Sequence, residues 1–130
     1  MNVVYQLITE INDALDEMKA VDIVEINIQE ISSIADLMIV ASGNSNRHVK
    51  AIAETILEKT KKAGFTTVGV EGMQEAEWIL LDFGDAIVHV MQPKTRSFYD
   101  LEKLWSARPI DNKTNDTEEQ APLSGSTSRE

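Results

Sequence analysis

Chemistry in this chain would have to come from three places. These are the imidazoles His48 and His89, the carboxylates Asp82 and Asp85, and the loop Ser42-Gly43-Asn44-Ser45. A nucleophilic hydroxyl needs a base within hydrogen-bond reach and a third group to orient that base. Neither histidine lies beside a serine in an elbow-type motif. His48, between Arg47 and Val49, falls in the first turn of a predicted helix and reads as a surface or packing residue. Two-metal nucleotidyl transfer needs carboxylates at alternate positions of one strand, so that both project to the same side. Asp82 and Asp85 are three apart across a turn, Asp13 with Glu17 and Glu54 with Glu58 are helix-surface pairs, and the Asp-x-Asp spacing occurs nowhere. The Ser42–Ser45 loop could cradle a phosphate with free N–H groups, which keeps a nucleotide-dependent transferase as an alternative. Plain N-capping by Ser45 accounts for the same residues. The chain has no cysteine, which excludes thiolate catalysis and disulfides. Two histidines without ligand spacing give no metal site. No catalytic constellation, metal or cofactor is expected.

A docking surface is the better reading, and Glu77–Trp105 is where it falls. Trp, Tyr and Arg dominate binding energy at interfaces and Met adapts to a partner's shape; Trp78, Met91, Arg96 and Tyr99 cluster in this segment. The strands flanking Asp82-Phe83-Gly84-Asp85 form an antiparallel hairpin, Gly84 supplying the positive φ of a tight reversal. With Phe83 and Gly84 central, 82 opposes 85, 80 opposes 87 and 78 opposes 89. Opposed residues share a face and successive residues alternate. One face is then aliphatic: Ile79, Leu81, Ala86, Val88 and Val90. The other carries Trp78, Leu80, Asp82, Asp85, Ile87, His89 and Met91. Helices must cover the first. The second is either an exposed apolar patch with a polar rim, which marks an interaction site, or a wetter second core under the N-terminal helix.

The elements that position this hairpin follow from periodicity. Val4, Leu7, Ile8, Ile11, Leu15 and Met18 make an amphipathic helix over about 3–18. Strands are predicted at 21–28 and, as a buried run, at 36–41. A second helix starts at Ser45, buries Val49, Ile52, Ala53, Ile56 and Leu57, and is closed by Gly64. Strands at 66–70, 77–81 and 86–91 follow, the last ended by Pro93. Arg96 to Trp105 reads as one short helix with Phe98, Leu101, Leu104 and Trp105 turned inward. From Asp111 the only apolar side chains are Ala121 and Leu123, so 107–130 is predicted to be a disordered acidic tail. The expectation is one α/β domain over 1–106, a mixed sheet of about five strands with helices packed on it.

The 130 residues carry 12 basic and 22 acidic side chains, a formal charge of −10. Residues 1–30 hold seven acids and one base, Lys19. The basic stretch 47–62 has five bases against two acids, an excess of three that reads as a solvated helix face. Gripping nucleic acid by its phosphates needs clustered cations, so little direct nucleic-acid binding is expected and a basic protein partner fits better. No apolar run approaches membrane-spanning length and the start resembles neither a signal nor a transit sequence. A cytoplasmic protein is expected.

Four blocks carry a resemblance: DLMIVASGNSNRHVKAIA (36–53), VEG (70–72), WILLDFGDAIVHVM (78–91) and RSFYDLEKLW (96–105). Together they resemble the Iojap-type ribosomal silencing factors, over about residues 3–106. The resemblance implies a nucleotidyltransferase-like fold without the catalytic carboxylates. It also implies binding to the large ribosomal subunit through its fourteenth protein, at the face that meets the small subunit, so that joining is blocked and translation slows under nutrient or energy limitation. Trp78, Asp82, Phe83 and Tyr99 stand at the motif positions that would touch that protein, with His89, Met91 and Arg96 beside them. Phe83 stands where relatives commonly carry another apolar residue. A homodimer formed through a sheet face or edge is compatible with this reading.

Overall fold

A computed structural model describes residues 3–31, 33 and 35–106. The chain divides into two units, Met1–Asp100 and Leu101–Glu130. The first contains α1 (Val3–Glu17), β1 (Val21–Asn27), β2 (Leu37–Ser42), α2 (Asn46–Lys62), β3 (Gly69–Glu71), β4 (Trp78–Asp82), β5 (Ala86–Met91) and α3 (Pro93–Tyr99). In the second, α4 (Leu101–Ser106) is described, and the predicted tail at 107–130 lies outside the described residues.

The strands form one mixed sheet in the order β1-β2-β5-β4-β3, with β2 and β5 parallel and the other neighbours antiparallel. A strand buried on both faces can be apolar throughout. Central β5 is buried at all six positions, and β2 at five of six. The edges are managed differently. β1 slips register between Val21 and Val24, with Asp22 at φ 52°, and β3 has only three residues; a bulge and a short strand both blunt an edge against further pairing.

Both long helices contribute to one core on one side of the sheet. Leu7, Ile11, Ala14 and Leu15 of α1 and Val49, Ile52, Ala53 and Ile56 of α2 share a cluster with Ile39, Ala41, Ile79, Leu81, Val88 and Val90. Lys59 of α2 and Glu17 of α1 form a 3.0 Å ion pair at the rim. At the start of α2, the Ser45 hydroxyl accepts from His48 N at 3.1 Å, as predicted for an N-cap. The helix ends in a Schellman arrangement: Ala63 is the capping residue, Gly64 follows at φ 93°, and Phe65 N–H reaches the Thr60 carbonyl at 2.9 Å.

Three expectations change. The third strand lies at 69–71 rather than 66–70, because the Glu71–Leu80 and Gly69–Asp82 pairings of β4 fix it there. The hairpin turn is centred on Gly84 and Asp85, not Phe83 and Gly84: Asp82 pairs with Ile87, and Phe83 N–H reaches the Ala86 carbonyl at 2.9 Å. Asp82 Oδ1 accepts from Gly84 N at 2.8 Å, and Gly84 has φ 87°, the positive value that the first central position of such a reversal requires. Moving the centre by one residue moves each partner by two, so both faces keep their predicted strand members, and only Asp85, predicted opposite Asp82, moves into the turn. Finally, the 96–105 helix is two helices. Pro93 starts α3 at its first position, where its fixed φ suits a helix, and Asp100 ends it in the left-handed region at φ 50°. Phe98 and Leu104 are exposed at 79% and 67%, not turned inward. Arg96 and Tyr99, three apart, occupy the sheet-facing side of α3 and leave Phe98 outside.

Candidate functional site

The face of the sheet opposite α1 and α2 is the candidate site, and α3 lies on part of it. Register places Met38, Val40 and Ser42 of β2, Ile87, His89 and Met91 of β5, and Trp78, Leu80 and Asp82 of β4 on this face. The alternative cover, the N-terminal helix, is on the other side. Most of the β2 and β5 residues are buried, whereas Trp78, Leu80 and Asp82 are half-buried.

Trp78 is the centre of the arrangement. Its indole Nε1–H donates to His89 Nδ1 at 2.9 Å, a diagonal cross-strand contact with ring centroids 5.8 Å apart. The Tyr99 ring lies against it at 4.8 Å, tilted by 48°, and Phe98 meets Tyr99 edge-on at 5.0 Å. Such tilted and edge-on pairs are favoured ring geometries. Tyr99 is 52% exposed. Three rings therefore run from the sheet outward, the innermost fixed by a buried imidazole. Trp78 is also anchored through its backbone. The reversal before it turns at Gly72, with φ 88°, and closes with Ala76 N–H on the Gly72 carbonyl at 2.9 Å. Gln92 spans the same corner, its N–H reaching the Glu77 carbonyl at 3.0 Å and its amide the Asn46 carbonyl oxygen at 2.7 Å.

The seven residues singled out in the sequence divide by burial. Trp78, Asp82 and Tyr99 stand at the surface. His89 at 5%, Met91 at 0% and Arg96 at 9% exposure lie beneath it, where they support rather than touch. Phe83 is a correction. As the partner of Ala86 it projects to the α1–α2 side and joins the core at 7% exposure, out of reach of anything docking on the opposite face. Phe98, expected inside, is the most exposed ring of the group, and the Arg96–Ser42 contact, Nη1 to Oγ at 2.8 Å, had no sequence signal.

Burial pushes the His89 imidazole down to about 4 from 6.5, because a desolvated site disfavours the cation. Its Nδ1 must stay unprotonated to accept from Trp78, which agrees. The unfolded chain takes up a proton near 6.5 and the folded chain does not until about 4. Stability linked to this group is therefore intact above pH 6.5 and falls as pH drops toward 4. The loss should reach about 3 kcal/mol. His89→Gln can still accept the indole N–H but does not titrate. Denaturant unfolding from pH 7 to 4 should show the wild type losing that much more stability than His89→Gln; parallel curves would contradict the assignment.

The other chemistry-bearing groups named in the sequence are engaged within the fold. His48 Nδ1 accepts from Asn44 N–H at 3.0 Å, and its Nε2 faces the Met18 carbonyl at 2.7 Å, so both ring nitrogens are engaged within the protein. Gly43 N–H is engaged by the Met91 carbonyl, so the loop N–H groups of 43, 44 and 48 are already used within the protein rather than offered to a phosphate. Gly43 has a packing reason instead: a Cβ there would sit 2.9 Å from Val49 N. Asp82 holds the turn, and the Asp85 carbonyl accepts from Asp36 N–H at 2.9 Å. Among the described residues, no group of three or more His, Asp or Glu side chains is placed to hold a metal ion.

Comparison with known proteins gives a consistent picture. The family model "Ribosomal silencing factor during starvation" matches residues 2–130, so it extends through the tail that the four sequence blocks left out. A ribosomal silencing factor of Haemophilus influenzae is 46% identical, covering 77% of this chain and 98% of its own. The mouse "Mitochondrial assembly of ribosomal large subunit protein 1" is 33% identical over 75% of this chain and 44% of its own. A crystal structure of a Chromobacterium violaceum protein superposes with a TM-score of 0.78 at 38% identity, covering 94% of this chain and 97% of that one.

Proposed function

This chain belongs to the family of ribosomal silencing factors, and from that membership we propose that it represses translation by occupying the joining face of the large ribosomal subunit. The contact is made through the fourteenth large-subunit protein. The Trp78–Tyr99 pair is the observation that carries the reading: two large rings held in fixed register, half in water. Rigid amphipathic rings that lose little entropy on docking are the residues that anchor interfaces. Glu71 and Asp82 lie on the same sheet face toward the turn end of β4, and a ribosomal protein surface shaped to hold rRNA is basic, so charges attract across the interface. The name of the mouse relative, which ties it to the large subunit, supports the choice of subunit.

Occlusion is the mechanism. A specific interface of about 1,600 Å² in total needs only one face of a domain this size, and no bond is made or broken. The body of the protein, anchored by its aromatic pair, fills space that the small subunit needs. Acidic residues elsewhere, seven of them within 1–30, disfavour adventitious contact with rRNA.

The reading is tested with purified components. The protein should co-sediment with isolated large subunits and not with small ones, and it should bind the purified fourteenth large-subunit protein alone. Equal retention by both subunits, or retention that survives only at low salt, would instead indicate unspecific charge attraction.

A further inference from the structure

We propose that the buried pair Ser42 and Arg96 positions the docking surface: their hydrogen bond holds α3 across the sheet and so places Tyr99 on Trp78. The functional half of this inference rests on the reading above; the structural half does not.

Trp78, Met91 and Ser42 lie in one row across three adjacent strands, Trp78 paired with Met91 and Met91 with Ser42. Two strand spacings separate the ends of that row, about 10 Å. Arg96 and Tyr99 are three apart in α3, so both point from the same side of the helix. Arg96 takes one end of the row, Nη1 to Ser42 Oγ at 2.8 Å, and the Tyr99 ring takes the other, 4.8 Å from the Trp78 ring. Met91, between them, is fully buried. These two contacts, one polar and one aromatic, tie α3 to the two ends of the row.

The polar point is the stronger constraint. A seven-residue helix has little stability of its own, so its place depends on what it touches. Ser42 is 1% and Arg96 9% exposed. A desolvated guanidinium is costly unless its donors are satisfied with good geometry, which makes this arrangement of α3 strongly preferred over ones that lose the hydroxyl. Neither side chain is accessible enough to meet a partner directly. Both act through Tyr99, and through it on Phe98, whose edge rests on the Tyr99 ring.

The test uses the full chain in a Trp105→Phe background, so that the indole signal comes from Trp78. Three variants are compared with the parent: Ser42→Ala, Ser42→Thr, which keeps a hydroxyl, and Arg96→Lys, which keeps the charge without the planar fork. Near-ultraviolet circular dichroism reports the Trp78–Tyr99 pair, far-ultraviolet melting reports the fold, and sedimentation with large subunits reports affinity. Ser42→Ala should lose the aromatic signal and about tenfold in affinity while its far-ultraviolet spectrum at the assay temperature stays that of the parent. Ser42→Thr should restore both. Should Ser42→Ala not fold, Arg96→Lys takes its place with the same expected losses. An unchanged aromatic signal in a folded Ser42→Ala or Arg96→Lys variant would overturn the positioning role, as would affinity lost with that signal intact. A parent that does not bind large subunits would overturn the functional reading instead, and the aromatic signal would still decide whether the pair positions Tyr99.

Discussion

Trp78→Ala should weaken binding to the large ribosomal subunit by about 2 kcal/mol or more, roughly thirtyfold. Three effects combine. The indole itself is lost from the centre of the candidate surface. The Tyr99 ring loses the surface it rests on at 4.8 Å, and Phe98 loses its indirect support. His89 Nδ1 loses its donor inside a nearly closed site, which leaves a buried acceptor unpaired. This last effect also lowers stability, so affinity must be read well below the unfolding midpoint of the variant. Trp78→Phe separates the terms in part: it keeps a six-membered ring for Tyr99 while removing the N–H together with the pyrrole ring, and should lose less affinity than alanine. Sedimentation of purified large subunits with each variant provides the measurement. An alanine variant within twofold of the wild type would remove Trp78 from the interface.

Gly72→Ala should destabilise the fold by about 3 kcal/mol or more, the sum of backbone strain and a steric collision. Gly72 has φ 88°, a value L side chains rarely adopt, and an added Cβ would run into the Trp78 carbonyl oxygen and press on its carbon. Neither neighbour can yield, because both are backbone of β4, which is paired on each side. Gly64 provides the comparison. Its φ of 93° is similar, but nothing lies within 4 Å of a Cβ there, so Gly64→Ala should cost only about 1 kcal/mol. Denaturant unfolding of the two variants should show that ranking. Equal losses would mean that strain alone matters and that the close approach at Trp78 does not.

Much of this architecture can be read from pattern. The stripes Leu7-Ile11-Ala14-Leu15 and Val49-Ile52-Ala53-Ile56 have helical period, and both prove to be core faces. Leu37–Ala41 is a continuous apolar run and Ala86–Met91 is apolar except for His89, as befits the parallel pair at the centre. The two faces of the hairpin survive an error in its turn, because strand side chains repeat every two residues and the register moved by two. Phe83 does not survive it. Its role came from the resemblance alone, and Asp82-Phe83-Gly84-Asp85 permits two turn placements, one with Phe83 at the turn's centre and one with Phe83 paired to Ala86. Asp82 Oδ1 on Gly84 N–H decides between them.

What pattern could not show depends on contacts distant in sequence. Ser42 and Arg96 are 54 residues apart, and nothing local to either announces the other. The periodicity over 96–105 is helical throughout, yet Asp100 in the left-handed region resets its phase, so a side chain's direction before that point says nothing about those after it. Burial of His89, Met91 and Arg96 likewise follows from tertiary packing and not from their residue types. Residue type drew attention to this segment of the chain. Only the packing distinguished those that can meet a partner from those that hold them in place.

Occlusion of subunit joining is the central claim, and it is measured directly by mixing purified large and small subunits with increasing amounts of this protein and following the joined particle in a sucrose gradient. The joined peak should fall as the protein approaches one copy per large subunit, with the protein travelling on the free large subunit, and Trp78→Ala should shift the effect to roughly thirtyfold higher concentration. A joined peak that persists when every large subunit carries the protein would contradict it.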